Sequence, residues 1–485
     1  MSLVIFNTQT KKKEEFRPLN PPKVSMYVCG PTVYDFLHIG NFRGAVFFNL
    51  VRNWLEKLGY QVTFVYNYTD VDDKIIDRAN REGKKSEDIA NQFIEEFKKD
   101  FNSLELKPHS HNPRVTEFMG PIVSTIEKLI ANKKAYVIDG EVLCSIEDIP
   151  RYGKLSGKKI DELVAGIRVE VDKRKKNPFD FSLWKPAKPG EPKWPSPWGD
   201  GRPGWHIECT AMSQTLLGET IDIHGGGIDL IFPHHENEIA QSEGASNRPF
   251  VTIWMHNEFL NFGDEKMSKS LGNIITGRNF FTTYHPEIFK YMMTSTHYRS
   301  KIDFSVNQVS HAVSGLARFY SALALSSEII ESEVKAETLD PEFKKVLESA
   351  GQGIEVGLND DFNTPEVLAR IFEVVRAFNQ SYTRGQKITE KVKARALAFS
   401  AWLRDHGALM ALFQKEPKAF LGVLDDMLLK QMSLLRSDID SLVNLRIEAR
   451  KNKNFAESDR LRDELSQKGI SVHDTPTGTF WEVKK

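Results

Sequence analysis

The stretch IFPHHENEIAQ, residues 231–241, sets two histidines side by side and follows them with Glu236, Asn237 and Glu238. On a helix His234 and Glu238 lie one turn apart on a common face, and His235 points elsewhere. Such a pair can grip one metal ion. It is equally the pattern of a salt-bridged surface helix, because a zinc site takes about three to four ligands. The chain has three cysteines, Cys29, Cys144 and Cys209. So odd and sparse a set argues against a disulfide framework and leaves reduced thiols available as ligands.

Two other segments carry residue types suited to phosphate chemistry. In CGPTVYDFLHIGNFRG, from Cys29 to Gly44, a loop holding His38, Ile39, Gly40 and Asn41 runs into a helix, whose free N–H groups favour an anion. A loop histidine there serves equally as a cap. In NFGDEKMSKSLGN, residues 261–273, Lys266 and Lys269 stand three apart between Gly263 and Gly272. A glycine-hinged loop with two lysines can close on a triphosphate and neutralise charge developing on it. It also fits a solvated polar loop.

Apolar patterning places these residues on an α/β frame. Val24–Val28 reads as a strand, 41–58 as a helix with a core-facing stripe stopped by Gly59, and Val62–Tyr66 as a second strand. Helices over 73–82 and 87–104 follow. Residues 119–202 change character: a helix, a hairpin YVIDGEVLCSI turning at Asp139-Gly140, then a Pro- and Trp-rich stretch. They read as an insertion between two halves of a parallel sheet. The α/β pattern resumes with helix 207–217, strand 220–224, the HHENE helix and strand 251–255. Helical periods dominate from 306 to 413, and a last helix over 433–467 ends at Gly469 before a small hairpin. The expected division is 1–118 and 203–305 for a Rossmann-like catalytic domain, 119–202 for the insertion, 306–424 for a helical bundle and 425–485 for a small α/β domain.

Composition narrows the class. A chain of 485 residues implies several domains, and 40% hydrophobic with 27% charged residues describes a globular enzyme. Sixty-five basic against 66 acidic side chains exclude a general polyanion binder, so nucleic-acid contact would need local basic patches such as KRKK at 173–176. No apolar run approaches the roughly 18 residues of a membrane span. The N-terminus has no signal-peptide order, so a cytoplasmic protein is expected.

Taken together, the HIGN turn after the first strand and KMSKS after the last resemble the paired signatures of class I aminoacyl-tRNA synthetases. MYVCGPTVYD, NYTDVDDKI, YGKLSG, DFSLWK, PGWHIECTAM, DIHGGGIDLIFPHHENEIAQ and DTPTGTFWEV are similar to segments of the cysteinyl-tRNA synthetase family, spread over essentially the whole chain. The resemblance implies one zinc per chain held by Cys29, Cys209, His234 and Glu238, with room for the substrate's sulfur through a fifth position or a weakly held Glu238. It implies a cysteine pocket from Cys29, Thr69, Asp70, Trp205, His206 and His224. It implies ATP, with Mg²⁺, on His38, Gly40, Asn41, the glycines 225–227, Asp229, Lys266 and Lys269. His38, Asn41, Lys266 and Lys269 are the expected catalytic set, although Asn41 stands where the family signature usually has histidine and cannot carry a proton charge.

The implied partners are L-cysteine, ATP and tRNA(Cys), handled by a monomer. The C-terminal third, with Arg446, Arg450, Lys451, Lys453 and Trp481, is the expected anticodon-reading end. Three rivals are weighed. A cysteine:amino-sugar ligase of similar active site lacks that end. A zinc hydrolase needs a His-Glu-x-x-His arrangement absent here. A non-catalytic zinc-containing RNA-binding protein would turn over no ATP.

Overall fold

Four strands build the parallel sheet that carries the signature segments. Their order is Val251–Asn257, Ile221–Gly227, Lys23–Val28 and Gln61–Tyr66, every pairing parallel. The computed structural model describes residues 2–159, 172–262, 265–266, 275–475 and 478–485. It divides into two units, residues 1–278 with 298–302 and 359–362, and the remainder. The sheet lies in the first.

Strands buried on both faces need continuous apolar runs, and Met26, Tyr27, Phe64, Val65, Ile221, Ile223 and Trp254 supply them. Helix Asn41–Lys57 crosses from the first sheet strand, burying Phe42, Phe48, Leu50, Val51 and Leu55. Gly59, at φ 92°, ends it in a conformation that suits glycine. Helix Asp73–Glu82 falls where its periodicity predicts, and the next spans Ser86–Ser103.

In the inserted segment, Ala135–Ile138, Glu141–Cys144, Phe181–Pro186 and Gly201–Pro203 pair antiparallel in chain order. The Asp139-Gly140 turn has both residues at positive φ, 51° and 79°, as a two-residue hairpin requires. Its Val142, Leu183 and Trp184 share one core with Tyr27 and Val65 of the parallel sheet. Cys144 is buried there as a small apolar residue.

The sequence missed an N-terminal hairpin, Val4–Asn7 with Lys12–Glu15. It is tied to the edge strand by Thr8 N–H to Trp254 O (2.9 Å) and Trp254 N–H to Asn7 Oδ1 (3.2 Å).

The second unit is helical, from Val306–Ile330 through Thr364–Ser381 and Glu390–Leu409 to Pro417–Gln431. The single last helix expected over 433–467 is two, Arg436–Lys451 and Phe455–Gln467. Lys453 turns to φ 57°, and the Asn454 side chain caps the new start by accepting Glu457 N–H. The hairpin Ile470–Thr475 with Gly478–Val483 closes over Leu429, Ile439, Val443 and Leu465.

Arg446 and Arg450, expected on phosphates, both pair with Asp474. Arg446 is 3% exposed and grips both carboxylate oxygens at 2.9 and 2.7 Å. Lys451 and Lys453 remain exposed.

Candidate active site

Several chemistry-bearing segments of the first unit leave the carboxyl end of a parallel strand, whereas Trp205, His206 and Cys209 lie on the helix that follows the inserted strand Gly201–Pro203. Cys29 follows Val28, Asn67–Asp70 follow Tyr66, Asp229 follows Gly227, and Glu258 follows Asn257. That edge, between strands whose connections run opposite ways, is where open α/β sheets hold ligands. The backbone there is tight. A Cβ on Gly225 would stand 2.3 Å from Phe48 Cζ, and one on Gly30 would stand 1.8 Å from Asn67 O.

Donor atoms of Cys29, Cys209, His234 and Glu238 lie within 4.8 Å of one another. Cys29 Sγ is 3.5 Å from His234 Nε2 and 3.3 Å from Glu238 Oε1, and those two atoms are 3.1 Å apart. Bonds of about 2.0–2.3 Å to a tetrahedral ion put donors roughly 3.3–3.8 Å apart, so the spacing fits a metal such as zinc with little adjustment.

Charge points the same way. A hydrogen bond from the Cys29 thiol, against burial, lowers Cys209 to about 6. Burial would lower His234, but Glu238 and Cys209 raise it to about 10. Glu238, despite burial, is held well below the usual carboxylate range by His224 and His234. These shifts favour anionic donors in a buried cluster, which is the donor character that a metal ion takes.

Outer partners orient these donors. His206 Nδ1 lies 2.9 Å from His234 Nδ1, and His224 Nε2 lies 2.9 Å from Glu238 Oε2. Metal-binding histidines and carboxylates are commonly fixed in this way.

The HHENE segment is less regular than expected. Phe232 is extended (φ −139°, ψ 131°) within a short irregular turn, and the helix proper is Glu236–Ser246. His235 does not point away: it is buried, with Nε2 3.9 Å from Glu238 Oε1. Cys29, His224, His235 and Glu238 consequently form a second, overlapping donor group. The group with two sulfurs suits soft-ligand metals better. Glu236 faces the other way and accepts Gly153 N–H at 3.0 Å and Ser156 N–H at 2.8 Å, fastening the YGKLSG loop to this helix.

A cleft of about 350 Å³ opens beside the cluster. Cys29, His38, Gly40, Asn41, Trp205, Gly226, Gly227 and Asp229, all singled out in the sequence, line it. Trp205 is 40% exposed, with its ring 4.4 Å from that of His234. Cys209, His234 and Glu238 are buried, as are Thr69 and His224, and none of these five lines the cleft. Lys74, Asn257 and Glu258 also line it and were not foreseen.

Asn41 opens its helix, and its Oδ1 accepts the His38 N–H at 3.1 Å, so the amide braces the turn. Ile39 N–H donates to Ile275 O (3.0 Å) and Gly277 N–H to Leu37 O (2.8 Å). These bonds fix the residues that follow the lysine segment, 275–277, to the His38 loop. The segment's start pairs as a hairpin, Asn261 opposite Lys266. Lys269 lies outside the described residues.

Sequence reading also missed a buried chain. His235 Nδ1 is 2.7 Å from His256 Nε2, and His256 Nδ1 is 2.8 Å from Thr8 Oγ1. Burial and then His224 lower His256 to about 3. The unfolded chain binds a proton near pH 6.5 that the folded chain refuses, so this group's stability contribution is present above pH 6.5 and lost as pH falls toward 3. Between pH 6.5 and 5 the loss is about 2 kcal/mol. Replacing His256 with Gln should flatten that slope. Urea unfolding followed by tryptophan fluorescence at the two pH values checks it, and an unchanged slope refutes it.

The comparisons agree with this geometry. The model of the class I (C) tRNA synthetase catalytic domain matches residues 15–314, a DALR domain matches 355–414, and a cysteinyl-tRNA ligase anticodon-binding domain matches 433–481. A cysteine–tRNA ligase of Bdellovibrio bacteriovorus is 57% identical over 483 residues, and one of Syntrophotalea carbinolica is 46% identical over 493. Each match covers 100% of both chains.

Among solved structures, Mycobacterium tuberculosis methionyl-tRNA synthetase in complex with methionyl-adenylate shares the fold at TM-score 0.61 and 12% identity. The match covers 82% of this chain and 93% of that one. A leucyl enzyme of Agrobacterium radiobacter aligns at 0.58 and 11%, covering 83% and 87%. With relatives matched end to end and a catalytic-domain model spanning most of the chain, this protein belongs to the cysteine–tRNA ligase family of class I aminoacyl-tRNA synthetases.

Proposed function

We infer that the chain activates L-cysteine with ATP, releasing pyrophosphate, and transfers the cysteinyl group to the terminal adenosine of tRNA(Cys), by class to its ribose 2′-hydroxyl. The observation that carries this reading is the placement of Cys29. It belongs to the donor cluster and also lines the adjoining cleft, which supports reading the cluster as the sulfur-binding group and the cleft as the ATP site.

Zinc held by Cys29, Cys209, His234 and Glu238 would supply a soft Lewis acid that takes a thiol sulfur as thiolate and gives a serine hydroxyl no comparable bond. Shape alone separates such near-isosteres by only about 1–3 kcal/mol, so the donor set accounts for selection without an editing domain. Trp205, Thr69 and His224 shape the cysteine pocket.

Asp229 takes the adenosine ribose hydroxyls, and Gly226 and Gly227 let the base approach. The His38 turn and the helix start at Asn41 cradle the phosphates that Mg²⁺ accompanies. The cysteine carboxylate attacks the α-phosphorus and pyrophosphate leaves, while Lys266 and Lys269 offset the charge that develops. In the second step the ribose oxygen attacks the acyl carbon and AMP departs. No side-chain nucleophile is needed, because positioning and electrostatics suffice.

The C-terminal module favours tRNA over an amino sugar as acceptor. A monomer in the cytoplasm suffices, since every residue named comes from one chain. No helix among the described residues is long and apolar enough to cross a membrane.

ATP–pyrophosphate exchange run with cysteine, with serine and with no amino acid tests the reading, together with tRNA charging and zinc content. Exchange with cysteine alone, charging of tRNA(Cys) and one zinc per chain are expected. Normal charging by zinc-free protein would overturn the account of selectivity, and exchange without transfer to tRNA would favour the amino-sugar rival.

A further inference from the structure

The helix that follows the His38 turn carries a charged residue with no part in the reaction just described. Arg43 stands two places after Asn41 and is 2% exposed. Burying a guanidinium is costly unless its donors are satisfied. Backbone carbonyls satisfy them here. Nη1 donates to Phe259 O, and Nη2 donates to Ser300 O at 2.5 Å and to Tyr298 O at 3.3 Å. Burial pulls the pKa of Arg43 down to about 10, against a rise from nearby Glu258, so the group stays charged at neutral pH.

Those carbonyls mark the place where two chain segments meet. Ile302 N–H donates to the same Phe259 O at 3.2 Å, and Glu258 N–H donates to Tyr298 O at 2.8 Å. Phe259 immediately precedes strand Leu260–Phe262, whose Asn261 pairs with Lys266. Glu258, Phe259 and Leu260 also line the cleft. The backbone bonds join the two segments to each other, and the Arg43 fork joins both to the helix of the His38 turn. A lysine would not serve, because a single ammonium lacks the planar fork that reaches several carbonyls from one fixed point.

We propose that Arg43 is a positioning residue for adenylate formation: its fork sets where the Lys266 hairpin stands relative to the His38 turn, so that both meet the same triphosphate. This rests on the phosphate reading of Lys266 above. A group that offsets developing charge works only from a fixed place, and a displacement of about 1 Å can cost about 100-fold in rate.

The test is a double-mutant cycle in the full-length protein, read as kcat for adenylate formation per active site counted by the pyrophosphate burst. Arg43→Lys keeps the charge and loses the fork, and Arg43→Gln removes the charge as well. Arg43→Lys should lower kcat about 10–100-fold with KM for cysteine unchanged, and Arg43→Gln should lower it at least as far. In a Lys266→Ala background either substitution should cost less than about 3-fold, because the group it positions is already gone. Sites that act independently would instead multiply their losses.

Circular dichroism and thermal unfolding show whether each variant is folded. Losses that multiply, or full kcat in a folded Arg43→Lys or Arg43→Gln protein, overturn this proposal alone. Failure of both variants to fold also overturns it, since Arg43 would then serve the fold and not the hairpin. A Lys266→Ala protein as fast as the parent overturns the phosphate reading of Lys266 and the proposal with it.

Discussion

Cys209→Ser is expected to lose its zinc and to lower cysteine-dependent ATP–pyrophosphate exchange more than about 100-fold, beyond the upper range for outer-shell partners. The reason is local chemistry. Cys209 sits 2% exposed on helix Trp205–Leu217, held near a pKa of about 6 by the Cys29 hydrogen bond against burial. Its pKa is pulled down toward the thiolate that a metal takes as ligand, whereas serine there stays a neutral, hard hydroxyl. The cleft lining does not include Cys209, so ATP binding should survive. Metal analysis and calorimetric titration with ATP measure the two effects separately. A variant that keeps one zinc per chain, or loses ATP binding with the metal, would contradict this division of the site.

Lys269→Ala should lower kcat for adenylate formation by about 10²–10³-fold, the range for removing one preorganised donor at a developing charge. KM for cysteine and zinc content should hardly change, because the donor cluster is built from other segments. Pre-steady-state pyrophosphate release checks this. A large rise in KM for cysteine with kcat intact would place Lys269 in ground-state binding instead. The described residues on either side of Lys269 are fixed, Asn261 pairing with Lys266 before it and Ile275 O accepting Ile39 N–H after it.

Much of the frame was readable because its signals are local. Parallel strands such as Val24–Val28 announce themselves as apolar runs, and Asp139-Gly140 announces a turn by its tolerance of positive φ. The misreadings came where distant contacts or short-range capping overrode periodicity. The helix expected over 433–467 broke at Lys453-Asn454, where a positive φ and an asparagine cap compete with helix continuation. Arg446 looked like a phosphate ligand because nothing in its neighbourhood of sequence reveals Asp474, which claims it.

By itself the sequence determined the class of chemistry: which residue types were present, that His234 and Glu238 stand four residues apart, and which segments resembled a known family. Tertiary structure alone decided that Cys29, Cys209, His234 and Glu238 share a volume small enough for one ion, and that His235 turns inward to His256. Helical spacing is a property of a few consecutive residues, so it can be read directly. The meeting of segments some 200 positions apart depends on how a parallel sheet gathers its strand ends at one edge, and on the burial and charge that result.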